Sequence, residues 1–458
     1  MRTRIPGFRG LTIAAGDAGY DDARAVWNGR VDRRPRLIAR CSGTADVAAA
    51  VRFGRERDLE IAIRGGGHNV AGTAVCDDGI VIDLSAMRAV SVDAACGTAE
   101  VQGGALWGDV DHETQAHGLA TTGGIIGHTG VGGLSLGGGL GWLMRKHGLS
   151  VDNLAEAEVV TAEGDIVRAS NHDHPDLFWA LRGGGGNFGV VSSFRFTLHP
   201  VGSAVIAGPV FWAADETAEV MRFYKEFVAD APDELGTVIR LGTIPPLPAI
   251  SPELHFRPAI AVACCYAGSL QDGERVVRVL RQFGTPLADL VGPKQYVDHQ
   301  SGLDDTVPHG WHYYWKGTGL ARLSDDVIDV VAQHAYRATS PRSYAVMFHM
   351  GGAVARVPRD ATAYPGRDVA HHLTIDAAWL PEEDETVGSS ESEWARGFLD
   401  ALRPHRAGVY VNFLDSDDDT SRVHEAYGDA TYVRLAEIKS KYDPDNVFHH
   451  NKNIEPSN

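Results

Sequence analysis

The sequence predicts an α+β protein of two packed domains, and three observations carry that expectation. The chain has 458 residues, more than one hydrophobic core usually spans. Its first 200 residues open on a strand–helix–strand pattern and continue as short alternating strands broken by glycine-rich loops. After Pro200 the glycine runs thin out, prolines increase, and strands alternate with amphipathic helices, the pattern of a separate α+β unit.

The elements follow in order. Residues 36–41 read as a strand, Thr44 to Asp58 as an alanine-rich helix capped at Ser42 or Thr44, and residues 60–64 as a second strand, together a βαβ unit. Residues 79–84, 89–93 and 98–102 alternate apolar and polar side chains between turn formers, so each is expected as a short strand. A helix is expected from Ala105 to His117, ending at Gly118. Residues 154–160 and 190–198 read as strands and Asp176 to Arg182 as a helix. In the second unit, residues 259–266, 344–350 and 372–380 are strand candidates, and residues 216–229 and 273–283 are amphipathic helices. The tail from Ala407 carries an expected aromatic strand and a helix near Tyr432 to Lys441. The expected division is 30–202, 203–405 and a returning segment 406–458.

Hydrophobic residues at 44% and charged residues at 22% fit a globular chain rather than a disordered or membrane one. A net charge of -18 without a basic patch argues against a nucleic-acid partner. Cys41, Cys76, Cys96, Cys264 and Cys265 sit in apolar runs without metal-ligand spacing and read as reduced core residues. No apolar run has the length of a signal peptide core or a membrane span, so a cytoplasmic location is expected. Adjacent histidines at 371–372 and 449–450 do not point one way on a strand or helix, and no metal is expected. The aromatic run 311–315, with His349 and Arg367, suits a stacked flat ligand and a domain core equally well.

The 53 glycines carry the chemistry. Three glycine-rich loops flank expected strands, leaving bare backbone whose N–H groups can bind phosphate without cationic side chains. Gly184 to Gly189 formally matches GxGxxG, but a helix precedes it and a strand follows, the reverse of the dinucleotide fingerprint. No GxxxxGK[ST] motif occurs. A nucleotide cofactor held by a different fold remains. His68, after a strand and three glycines, would by itself read as an ordinary loop histidine.

The ordered motifs Arg64-Gly-Gly-Gly-His68-Asn69, Gly130 to Gly141, Gly148 to Asn153, Arg182 to Val191, Tyr410-Val-Asn412-Phe413 and Tyr442 to Ile454 resemble the vanillyl-alcohol-oxidase superfamily, berberine-bridge-enzyme-like group. The resemblance spans nearly the whole chain. It implies a PCMH-type FAD-binding domain of two α/β subdomains, and a substrate domain whose antiparallel sheet is flanked by helices. It further implies that Arg64, Gly65, Gly66, Gly67, His68, Asn69, Thr129, Gly130, Gly132, Gly133, Val190, Val191, Asn412 and Asn451 bind FAD, with an 8α-histidyl bond through His68. Ile126 stands where bicovalent relatives carry cysteine, so no cysteinyl link is expected. Thr129 matches the position that influences dioxygen access.

Tyr410 and Asn412 are the catalytic candidates the resemblance supplies, although Phe413 replaces a common tyrosine and Tyr410 could equally be a core aromatic. The implied reaction is hydride transfer from a small organic alcohol, amine or secondary metabolite to FAD, with dioxygen as the second substrate and hydrogen peroxide as product. Alternatives are a dehydrogenase with another acceptor, an oxygenating flavin, or a noncatalytic flavin-binding module.

Overall fold

The computed structural model describes residues 4–457. Its first layer is a four-stranded sheet in the order Leu11–Ile13, Leu37–Arg40, Ile80–Asp83, Ile61–Arg64. The last three run parallel, and Leu11–Ile13 is antiparallel at the edge. The expected βαβ unit exists, but its two strands flank Ile80–Asp83 instead of pairing with each other. The crossover helix Thr44–Arg55 buries Val47, Ala50, Val51 and Phe53 in the core shared with Ile80 and Ile82.

Neither expected side-chain cap forms. Gly43 occupies the N-cap and has no side chain to offer, so the Asp46 carboxylate folds back and accepts from the Arg9 and Ser42 N–H groups. Because Leu11–Ile13 belongs to this sheet, the first unit begins well before residue 30.

The second layer is an antiparallel sheet ordered Val90–Asp93, Thr98–Gln102, Val190–Thr197, Leu154–Val160, Ile166–Ser170. Helices Trp107–Gln115, Pro175–Leu181 and Asp429–Tyr442 share its core. The third layer is a larger antiparallel sheet whose central strands run Ala204–Ala213, Pro258–Tyr266, Leu235–Thr243, Tyr344–His349, His371–Trp379, His312–Leu320.

Strand alternation divides the two faces of this large sheet. Val210, Trp212, Ile239, Leu241 and Ile375 pack under helices Thr217–Ala229, Leu270–Arg281, Asp325–His334 and Glu385–Ala401. Phe211, Val238, Arg240, Val346 and Asp376 face the other way, into a cavity against the first two layers.

Two further expectations change. The tail does not form an aromatic strand: Tyr410 is extended, and Val411–Phe413 makes a single 3-10 turn. Four cysteines are buried, but Cys96 is exposed in the turn between Val90–Asp93 and Thr98–Gln102. No helix among the described residues is long and apolar enough to cross a membrane.

Candidate functional site

A cavity of about 680 Å³ lies between the large sheet and the two smaller layers. Its floor is backbone. Gly65, Gly66 and Gly67, Gly130, Gly132 and Gly133, and Gly185 and Gly186 bring three separate loops to one surface. A side chain on Gly66 would lie 2.5 Å from the Gly130 backbone, so two of these loops touch through glycine alone. A Cβ on Gly133 or Gly186 would meet nothing within 4 Å, so these positions leave open floor. The helix Pro175–Leu181 precedes the Gly183 to Gly189 loop and the strand Val190–Thr197 follows it, as the sequence order requires.

His68 stands at one end of this floor. Trp27 stacks on its ring at 4.3 Å between centroids, and Tyr313 stacks on the far face of Trp27 at 3.8 Å. Burial, then the neighbouring His128 and His309, holds the imidazole well below the ordinary histidine range, so it is uncharged at neutral pH. Its buried Nε2 has no hydrogen-bond partner. The same is true of Asn69 Oδ1, Tyr427 OH and Asn451 Oδ1 on the cavity wall.

Tyr410 and Asn412 meet at the wall. The buried Tyr410 oxygen accepts from the Gly139 N–H at 2.8 Å and from Asn412 Nδ2 at 2.7 Å. Asn412 also donates to the Leu134 carbonyl at 3.1 Å. Burial raises the phenol above the usual tyrosine range, and the N–H groups of Gly139, Asn412 and Leu140 oppose that rise. Asn451 donates to the Gly186 and Phe448 carbonyls, which ties the C-terminal segment to the glycine floor.

The structure brings to the cavity every residue expected there except one. Thr129, Val190 and Val191 line it alongside the glycines, His68, Asn69, Tyr410, Asn412 and Asn451. Arg64 does not: its guanidinium turns back to the Ala23 carbonyl, because its strand alternation points it behind the loop.

Sequence reasoning missed Trp27, Lys452 and the ceiling residues Arg240 and Asp376, while Trp315, from the aromatic run left open between ligand wall and core, does line the cavity. Trp27 lies before the expected start of the first unit, and no local pattern marks it. Lys452, which burial lowers to about 8, follows Asn451 in a motif already singled out and was within reach.

His371 and His372 point to opposite faces, the first stacking with His349 and the second bonding Tyr364 OH at 2.8 Å. Arg367 holds Asp152 in a buried pair through both terminal nitrogens and does not line the cavity. Among the described residues no group of three or more His, Cys, Asp or Glu is placed to hold a metal.

Bare backbone donors, a neutral histidine with a free nitrogen, and a ring of unpartnered amide and hydroxyl atoms fit a flat nucleotide cofactor such as FAD. The fold and site thus define a flavin-binding protein. Residues 35–170 match the family described as FAD binding domain, and residues 409–455 match berberine and berberine like. (R)-6-hydroxynicotine oxidase of Paenarthrobacter nicotinovorans is 33% identical over 98% of this chain and 97% of its own length. The crystal structure of 6-hydroxy-D-nicotine oxidase from Arthrobacter nicotinovorans superposes with a TM-score of 0.86 at 29% identity, covering all of both chains. Glucooligosaccharide oxidase from Acremonium strictum, whose FAD is 6-S-cysteinyl and 8α-N1-histidyl, gives 0.85 at 26% identity over 98% and 97% of the chains. The chain belongs to the berberine-bridge-enzyme-like family of FAD-linked oxidoreductases.

Proposed function

We propose that this enzyme is an oxidase that carries FAD on a single covalent bond to His68, oxidises a small organic alcohol or amine, and returns the electrons to dioxygen as hydrogen peroxide. The observation that carries the reading is the buried, uncharged His68 ring with an unpartnered nitrogen beside a glycine floor. A neutral imidazole keeps the lone pair that bond formation needs, and the Trp27 stack fixes its plane. Ile126 lines the cavity and none of the five cysteines does, which supports one tether instead of two.

FAD, when bound, supplies the two-electron acceptor. The protein supplies the rest. Backbone N–H groups of the glycine loops hold the diphosphate. Thr129, a short side chain on the wall, leaves room for dioxygen. Ionised Tyr410, already steadied by two N–H donors, takes the proton of the substrate hydroxyl or amine. Relatives named for 6-hydroxynicotine and gluco-oligosaccharide support a small organic substrate. Five free cysteines suit a reducing, cytosolic setting.

The test is direct. Wild-type protein should keep its yellow colour through acid precipitation and fluoresce on a denaturing gel, and His68→Ala should lose both. Free FAD released from the wild type would refute the linkage. Anaerobic reduction followed by an oxygen pulse should give fast reoxidation with peroxide; slow reoxidation would mean a different electron acceptor.

A further inference from the structure

The cavity ceiling changes character along its strands. Val238 and Phe348 are register partners in an apolar row beside Ala263. Arg240, Val346 and Thr374 form the next row, and Tyr344 and Asp376 the one after. His372, whose ring lies 5.7 Å from that of Tyr410, is four residues before Asp376 on the same strand. Four residues of strand span about 13 Å, so the polar rows sit at the end of the ceiling away from Tyr410.

Asp376 is 5% exposed. Its Oδ2 accepts from Thr374 Oγ1 at 2.9 Å, and its buried Oδ1 has no partner. Arg240 donates to the Thr243 carbonyl and lies 4.5 Å from the Tyr344 ring centroid. Both residues line the cavity, yet no ion pair within 4.0 Å joins them among the described residues. A pair kept only for stability would close on itself, because a buried carboxyl oxygen left unpaired is costly. Here an acceptor and a cation face the same space and leave a gap.

We infer that Asp376 and Arg240 form a specificity subsite for an uncharged hydroxyl at the end of the substrate remote from the reacting carbon. A hydroxyl satisfies both partners at once, donating its hydrogen to Asp376 Oδ1 and accepting from the Arg240 guanidinium. Burial raises the Asp376 carboxyl to about 7, so above that pH, where binding is to be measured, a carboxylate meets the acceptor oxygen of Asp376, and an ammonium meets the charge of Arg240. The inference rests on the oxidase reading for the position of the reacting end.

The test is equilibrium binding to the flavin-loaded enzyme, read by perturbation of the flavin spectrum. The probes are 4-hydroxybiphenyl and its charged counterparts, 4-biphenylcarboxylate and 4-aminomethylbiphenyl. The hydroxyl probe should bind about tenfold tighter than either. Asp376→Ala and Arg240→Ala should each abolish that preference while retaining flavin, and Asp376→Asn, whose amide oxygen still accepts, should keep most of it. Equal or tighter binding of a charged probe, no binding of the hydroxyl probe, or a preference that survives both alanine variants would overturn the subsite. A preference with the expected mutational pattern, in a protein that turns over no alcohol or amine, would sink the oxidase reading and leave the subsite standing.

Discussion

At the scale of single residues, Tyr410 is the sharpest point of the site. Its oxygen accepts from the Gly139 N–H and from Asn412 Nδ2 and, among the described residues, donates to no protein group, so its proton is left to exchange with a ligand. Burial raises its ionisation above the ordinary range. In the proposed reaction the reactive form is the phenolate, whose fraction grows with pH below that ionisation, so kcat should climb through neutral and mildly alkaline pH. Tyr410→Phe should lower kcat about a hundredfold or more, flatten that profile, and leave flavin content unchanged. An unaltered pH profile in the variant would remove Tyr410 from the chemistry.

His68, Tyr410 and Asn451 were legible because they sit in motifs whose order along the chain is informative. Arg240, Asp376 and Trp27 were not. Strand register brings the first two together from segments more than a hundred residues apart, and Trp27 reaches His68 from a loop without any pattern of its own. Arg64 shows the opposite failure: it stands in the right motif, but strand alternation turns its side chain away.

At the scale of elements, helices and strands followed hydrophobic period closely, while caps and pairings did not. The Thr44–Arg55 helix formed where its alanine-rich face predicted, yet its cap came from Asp46 because a glycine holds the N-cap. The segment leading to Tyr410 touches the edge of strand His312–Leu320 at Arg406, Ala407 and Gly408, and after Tyr410 it closes in a 3-10 turn.

Element packing also sets a pH dependence. Asp111, on helix Trp107–Gln115, accepts from Gln300 Nε2 at 2.9 Å, joining that helix to Tyr296–Gln300. Burial raises its carboxyl from 3.8 to about 7. Between those values the folded state holds a proton that the unfolded chain has released, so this group's stabilisation is lost as pH rises through that window. Asp111→Asn, neutral throughout and still able to accept from Gln300, should melt higher than wild type by a margin that widens from pH 5 to pH 8, reaching several degrees. Parallel melting curves across that range would contradict the assignment.

At the scale of the whole molecule, the C-terminal segment locks the flavin side. Lys439, fully buried, donates to the Asn187 carbonyl at 2.8 Å, the Phe448 carbonyl at 3.0 Å and the Asp443 carboxylate. Asp443 in turn accepts from the Val447 and Phe448 N–H groups, shaping the turn that delivers Asn451 and Lys452 to the cavity. Lys439→Met strands the Asp443 charge and should cost about 3–5 kcal/mol, with lower flavin occupancy. Chemical denaturation and bound-flavin content measure the two effects, and an unchanged midpoint would show the pair to be dispensable. The return of the tail was readable from its motif, but not this buried pair, since lysine and aspartate four apart on a helix usually face solvent.

The strap around Trp27 carries one more consequence, for the order in which the protein can mature. Trp27 Nε1 bonds the Val307 carbonyl, Gly29 N–H the Trp311 carbonyl, and the Asn28 amide bridges Val70 to Tyr313, some 285 positions away in sequence. The plane of the His68 ring is therefore set jointly by Trp27 and by the segment 307–313, which is made long after His68 itself. A ribosome-bound nascent chain ending before Val307 contains both His68 and Trp27 but lacks the Val307 carbonyl and the Tyr313 ring that hold Trp27 against the histidine. If FAD is attached at His68 as proposed, attachment should await synthesis of this later segment, and a chain truncated before Val307 and supplied with FAD should leave the histidine unmodified.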